Sequence, residues 1–413
     1  MRNLIFIAIL FAVANGSPCP TERGESTLNN ICYCEDTSYE FGNKTLASVF
    51  DKDVTIGFIS DSGIGPGSRL VLDVLKANNV DAVVHVGDFD YTDSSSSMEN
   101  NINSVFPSDF PYFYIIGNHD LLIWDRYQRR NLRRLSKDIK GLYCIGNLGV
   151  KTSCVFKGVQ LVLSGAGTLC DNHEEYIESV LSESAMNWKV CAFHKVHSTF
   201  QLGSKGDEVD LSVYQSCIDG GALVITGHDH VYGRTHLIKD AFTKALVNSS
   251  FNLIKRGQSI VWVNGLGGYS QFSKKSGHSE DPWWDVTYGR KTGSEYGALI
   301  CTFSETRATC EFKNIEGDTQ DSIVMYSDNT GQCVPSCPEC TKSWLSDVND
   351  GCGGVCPQDN CGPKERCSSS SGYTCVIDVR CYVKCLDKGC IEQGESQPTN
   401  WCGGRCNLPY CSV

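Results

Sequence analysis

Five short stretches carry side chains able to do chemistry together: Asp61 with Gly63, Asp88 with Tyr91, Asn118 with His119, His194, and His228 with His230. Carboxylates, imidazoles, an amide and a phenol are the donors that hold a catalytic cation. Each stretch follows an apolar, β-rich run, at 54–59, 82–86, 112–116, 189–193 and 222–225. Strand-end loops of open α/β sheets are where ligands bind, so donors at the same end of one sheet can converge on one point. A lone strand-end histidine is more often a hydrogen-bonded structural residue, but five such stretches in order are not explained that way.

The runs alternate with helical patterns. Pro66 opens one in which Leu70, Val71, Val74 and Leu75 fall on one face, and Asn78 and Asn79 close it. Strand, helix, strand at this spacing predicts a βαβ unit, and its repetition a largely parallel sheet. Residues 94–97 read as a polar loop. Beyond the third strand, Arg126, Arg129, Arg130, Arg133, Arg134, Lys137 and Lys140 make a basic helix, which reads as a solvated face or as steering for an anionic substrate. Residues 143–155 predict a hairpin with Cys144 facing Cys154. A second hairpin, 298–303 with 308–312, makes Cys301 and Cys310 candidates for a bridge.

A chain of 413 residues holds one large domain and something smaller. Residues 1–16 have a charged start, an apolar run over 4–13 and small residues at 14–16, the pattern of a signal peptide. The run is too short to span a bilayer. The 24 cysteines all lie beyond it, which in an oxidising compartment implies disulfides and a secreted or lumenal protein. Asn43 and Asn248 open glycosylation sequons. A net charge of -12 disfavours nucleic acid or an anionic membrane as partner, while leaving a small anionic substrate open.

After residue 332 the chain repeats: Cys333, Cys337, Cys340, Cys352, Cys356 and Cys361 recur as Cys381, Cys385, Cys390, Cys402, Cys406 and Cys411. Two small disulfide modules are expected there, with contact to matrix or glycan as a candidate role. The division implied is 1–16 signal peptide, 17–53 a cysteine-containing extension without its own core, 54–326 the catalytic domain, 327–332 a linker, and 333–413 the tandem repeat (333–361 and 381–411).

The order DxG, GDxxY, GNHD, a strand-borne His and GHDHxYxR resembles the calcineurin-like metallophosphoesterases, and more narrowly the purple acid phosphatases, over residues 54–326. The resemblance implies an α/β fold, a metallophosphoesterase β-sandwich flanked by helices, followed here by the disulfide-rich region. It implies that Asp61, Asp88, Tyr91 and His230 bind one metal and that Asp88, Asn118, His194 and His228 bind a second. A phenolate favours Fe(III) at the first site, and imidazoles with an amide suit a divalent Zn, Fe or Mn at the second. Many relatives carry DxH at the first motif; here Gly63 replaces that His, and Tyr91 supplies the ligand.

The implied activity is that of a secreted acid phosphatase hydrolysing phosphomonoesters by a metal-bound hydroxide. His119 is expected to contact the phosphoryl oxygen or protonate the leaving group. His197 is an alternative strand-end ligand, but His194 directly ends the apolar run, leaving His197 as a substrate contact. The family's proline after this His is absent, and Tyr232 and Arg234 match the family's tail as supporting residues. Two other readings stay open: a phosphodiesterase or pyrophosphatase on the same metal core, and an extracellular binding or adhesion protein with an inactive hydrolase domain.

Overall fold

The computed structural model describes residues 34, 38–50, 52–249, 251–290 and 295–328, together with two short strands further on. The chain divides into two units, Met1–Thr330 and Gly331–Val413. In the second, β19 (Glu365–Ser368) pairs antiparallel with β20 (Thr374–Ile377). The expected signal peptide, Cys19, Cys32 and the tandem modules lie outside the described residues.

The first unit is built on two sheets, whose strands we number along the chain. One sheet runs, in spatial order, β1 (Tyr39–Gly42), β5 (Leu142–Asn147), β6 (Lys151–Phe156), β7 (Val159–Ser164), β8 (Trp188–Phe193), β9 (Leu223–Thr226), β14 (Val261–Asn264), β10 (Tyr232–Thr235) and β15 (Trp284–Tyr288). The other runs β13 (Asn252–Ile254), β18 (Thr319–Ser327), β17 (Arg307–Asn314), β16 (Gly297–Phe303), β2 (Val54–Ile59), β3 (Ala82–His85) and β4 (Tyr112–Tyr114). A small hairpin, β11 (Ile238–Asp240) with β12 (Ala245–Leu246), stands apart.

Successive side chains of a strand point to opposite faces, and here both faces are apolar because each sheet is covered twice. Ile56, Phe58, Val84, Leu161, Leu163, Val190, Ala192, Leu223 and Ile225 meet in one core cluster fed by both sheets. Their neighbours point outward. Ile59 and Val83 pack with Val71, Leu72 and Leu75 of α2 (Pro66–Ala77). Val162, Cys191 and Val224 pack with Ile177 and Leu181 of α5 (His173–Ser182) and with Val213 and Ile218 of α6 (Leu211–Asp219). The result is a β-sandwich flanked by helices, the α/β class that the resemblance implied.

Three local expectations need correction. The sheets are mixed: β2, β3 and β4 are parallel, as are β7, β8, β9 and β14 and the pair β13 with β18, but β1, β5, β6 and β7 pair antiparallel in turn, as do β18, β17, β16 and β2, and β10 with both its neighbours. Short-turn hairpins impose that, since parallel pairs need a long crossover. On α2 it is Leu72 that is buried, while Leu70 is 45% exposed. Residues 94–97, expected as loop, instead open α3 (Ser95–Asn103): Ser94 caps it by accepting the Ser97 N–H, and Met98 and Ile102 bury one turn apart. Four serines in a row gave the composition of a loop to what is a capped helix start.

The bridges Cys144–Cys154 and Cys301–Cys310 form across their hairpins, and Cys34–Cys170 and Cys191–Cys217 tie distant segments. Such bridges fit an oxidising compartment, and no helix among the described residues is long and apolar enough to cross a membrane. Within the segment 17–53, β1 adds to the edge of the nine-stranded sheet through β5, and Asn43, exposed, caps the one-turn helix α1 (Lys44–Ala47).

Tyr232 and Arg234 of β10 lock the two sheets together one strand in from their edges. Arg234 donates to both carboxylate oxygens of Asp321 on β18 (2.7 and 2.9 Å), and the Tyr232 hydroxyl donates to the same carboxylate at 2.7 Å. Burial alone would lower the Arg234 pKa, but the bonds to Asp321 outweigh it and raise it further. Arg234 Nη1 also meets Asp285 Oδ2 at 2.7 Å, so loss of Asp321 leaves the guanidinium one acidic partner. Asp321→Ala should therefore lower stability by about 1.5–3 kcal/mol in urea denaturation, the usual worth of hydrogen bonds to a charged group; an unchanged stability would contradict this role.

Candidate metal centre

All five chemistry-bearing stretches leave strands at one end of the sandwich. Asp61 follows β2, Asp88 and Tyr91 follow β3, Asn118 and His119 follow β4, His194 follows β8, and His228 and His230 follow β9. The turn each chain must make is sharp, and Asp61, Asp88 and His228 hold positive φ (55°, 54° and 66°), a region L-residues visit only when the surroundings fix them. Gly87 adopts φ 84° because a Cβ there would come within 2.6 Å of the His194 ring and 2.8 Å of Gly117.

The side chains form two groups. In one, His230 Nε2 lies 3.2 Å from Asp61 Oδ1, and the Tyr91 hydroxyl lies 3.3 Å from His230 Nε2, 3.5 Å from Asp61 Oδ1 and 3.4 Å from Asp88 Oδ2. In the other, His194 Nε2 lies 3.3 Å from Asp88 Oδ2 and 3.2 Å from Asn118 Oδ1, and the ligating atoms of Asp88, His194 and His228 fall within 4.8 Å of one another. Asp88 belongs to both groups. Donors about 2.1 Å from one cation sit about 3.0–3.4 Å from each other, close to the separations seen here.

The charges fit a cation as well as the spacing does. Asp61 and Asp88 are 0% and 1% exposed, and buried carboxylates require a partner. Burial opposes charge on Asp88, but the His194 imidazole outweighs it and holds the carboxyl below its usual range. Burial would also lower His194; Asp88 and Asp61 push it up to about 9. Burial, then Asp61 and Asp88, hold the Tyr91 phenol far above its usual value. Burial and the neighbouring His194 keep His228 well below its usual value. A cation among these groups would meet the buried carboxylates directly.

Groups around these donors fix their directions. His194 Nδ1 is 2.8 Å from Val86 O, His230 Nδ1 is 2.5 Å from Ser270 Oγ, and Ser60 Oγ donates to Asp61 Oδ2 at 2.6 Å. Such contacts set tautomer and ring orientation. Phe272 stacks on the His230 ring and Tyr269 on the Tyr91 ring, at 3.5 Å between centroids. That stack accounts for Gly63, since a Cβ there would lie 3.0 Å from the Tyr269 ring.

Several of these residues escaped the sequence reading. The Asp120 carboxylate accepts the N–H groups of Asp88, Phe89 and Gly117 (2.8, 3.1 and 2.7 Å), tying the β3 and β4 loops together. Asp229 does the same for Leu202 and Gly203. Each stands directly beside a donor, in GNHD and GHDH, and that adjacency was the signal available. Glu208 reaches His228 Nε2 at 2.6 Å and Lys195 at 3.0 Å, and no local pattern announces either contact. Of the two histidines expected to act in catalysis, His119 is exposed, its ring 4.5 Å from that of Tyr91 and its N–H 2.9 Å from Asp88 Oδ1. His197 turns elsewhere: Nδ1 accepts the Thr199 N–H and Nε2 faces Asp207 at 3.3 Å.

Residues 54–232 match the family model of the calcineurin-like phosphoesterases. The fold of the chain is similar to that of purple acid phosphatase PPD1 from seeds of yellow lupin (Lupinus luteus), with a TM-score of 0.53 and 17% identity over 71% of this chain and 57% of the lupin chain. PhoD follows at 0.45 and 11% identity (68% and 71% covered), and GAP50, the anchor in the inner membrane complex of Plasmodium, at 0.44 and 14% (67% and 89%). At 17% identity the lupin likeness is one of fold. A search of curated proteins by sequence finds no match. Among the described residues Asp88, His194 and His228 form a buried group that could hold a metal ion.

Ser270→Ala removes the contact that orients His230 while leaving the core untouched. The affinity of the first site for its cation should fall about 10–100-fold, as measured by equilibrium dialysis, with the thermal melt of the metal-free protein unchanged. Unaltered affinity would show that His230 does not need the contact.

Proposed function

We propose that this protein is a secreted dinuclear-metal acid phosphatase that hydrolyses phosphomonoesters. The observation that carries the reading is the position of Asp88, within 3.4 Å of both Tyr91 and His194 and so common to both donor groups. In this reading Asp61, Tyr91 and His230 complete the first site, and Asn118, His194 and His228 the second. A cation pair held there would lower the pKa of a coordinated water and neutralise charge on the phosphoryl group. Tyr91, with Gly63 in place of a histidine, favours Fe(III) at the first site and leaves Zn, Fe or Mn for the second.

The chain's own residues supply the rest. His119 stands exposed beside Tyr91, with its backbone held on Asp88, where its imidazole can donate a proton to the leaving oxygen. Lys195, 3.2 Å from His228, adds positive charge beside the second group. His197 serves as a positioning residue, holding the loop that carries Asp207 and Glu208. Retention of all seven donors at one point supports an enzyme over an adhesion protein with a retired hydrolase domain.

Asp88→Asn should abolish hydrolysis of p-nitrophenyl phosphate, and retained turnover would remove the basis of the proposal. His119→Ala should lower kcat by about 10²–10⁴-fold, the usual contribution of a positioned proton donor. An unchanged kcat would take His119 out of the reaction. Fe(III) bound to a phenolate gives a broad visible absorption band; the purified protein should show it and Tyr91→Phe should not. A colourless, iron-free and active enzyme would refute the iron assignment alone.

A further inference from the structure

The basic helix expected as a solvated face or a steering surface does something more specific. α4 (Trp124–Leu135) begins just after the loop carrying Asn118 and His119 and runs back along β4. Asn131 marks its course, donating to Tyr112 O and accepting from the Tyr114 N–H. Its last turn therefore lies beside the segment that enters β4, whereas the metal donors leave β2, β3 and β4 at the other end.

There a cavity of about 260 Å³ opens, lined by Glu99, Ser108, Arg130, Arg133, Arg134 and Lys137. Four cations face one carboxylate in a protein whose net charge is -12. The carboxylate is already engaged, with one oxygen on Arg134 Nη2 and the other accepting from the Tyr114 hydroxyl at 3.2 Å. Arg134 is 2% exposed and anchored by Pro107 O and Asn103 Oδ1, yet its Nε is buried with no protein hydrogen-bond partner. Lys137 is held over the mouth by Ser108, and Arg130 is held by Ser95 Oγ. Apart from Arg134 and Glu99, the lining cations have no acidic partner in the cavity wall.

We infer that this cavity is a second anion-binding site, separate from the metal centre, for a small multiply charged oxyanion of the phosphate or sulfate type. Guanidinium forks match such oxyanions in geometry and charge, and Arg130, Arg133 and Lys137 bring more positive charge to the wall than Glu99, already held by Arg134, offsets. The volume lies just under the range that takes drug-sized molecules, so the occupant is a small ion rather than a large ester. The proposal does not rest on the phosphatase reading, because no lining residue belongs to the metal centre.

The test is calorimetric titration of the full-length, metal-loaded protein with inorganic phosphate, beside Arg133→Gln/Lys137→Gln. Both residues are exposed, so the double variant should keep its fold and its hydrolytic rate. Wild type should bind phosphate at a site that the variant loses or fills about tenfold or more weakly, whether or not the metal centre binds phosphate as well. No binding by wild type, or identical isotherms for the two proteins, would overturn the inference. Sulfate, titrated in parallel, should compete at the site that the variant loses; failure to compete there would overturn the oxyanion assignment.

Discussion

Two buried carboxylates, Asp61 and Asp88, set the terms for one whole end of this molecule. Both are almost fully withdrawn from water, and the ring of His194 and the hydroxyl of Tyr91 lie between them. Uncompensated, such groups would cost more than the packing around them returns. The surroundings supply hydrogen-bond donors to both: Ser60 and the His228 N–H on Asp61, the His119 N–H on Asp88, and imidazoles beside them. Strained backbone at three donors is stored at the same place.

The sandwich makes this concentration of polar groups tolerable. Parallel strands from both sheets bring their C-terminal ends to one rim, while the inter-sheet core and the helical outer layers bury the rest of each strand. Asp120 and Asp229 then act as staples between rim loops, each meeting backbone N–H groups that would otherwise be buried without acceptors. The Arg234–Asp321 pair ties β10, one strand in from the edge of its sheet, to β18 of the other. The Cys144–Cys154 and Cys301–Cys310 bridges secure two antiparallel hairpins.

Much of this was legible in the residues because metal chemistry needs particular donors at strand ends, and strand ends announce themselves by apolar runs. The two hairpin bridges are where the spacing of their cysteines put them. What stayed hidden depends on contacts distant in sequence. Glu208 on His228 and Ser270 on His230 are separated from their partners by 20 and 40 residues, and no local pattern encodes the meeting. The helix over Ser95–Asn103 was masked by serines that cap it, and the role of Arg134 by six other cations on the same stretch. Composition reports charge, but burial of one arginine among them is decided by the loop that packs on it.

The central claim is that Asp88 joins two cation sites into one centre. The most direct measurement is metal content set against activity: strip the full-length protein with chelator, restore cation in measured steps, and follow hydrolysis of a phosphomonoester alongside bound metal by mass spectrometry. Full activity should return only as the second equivalent per chain is bound. Full activity at one equivalent would contradict the account.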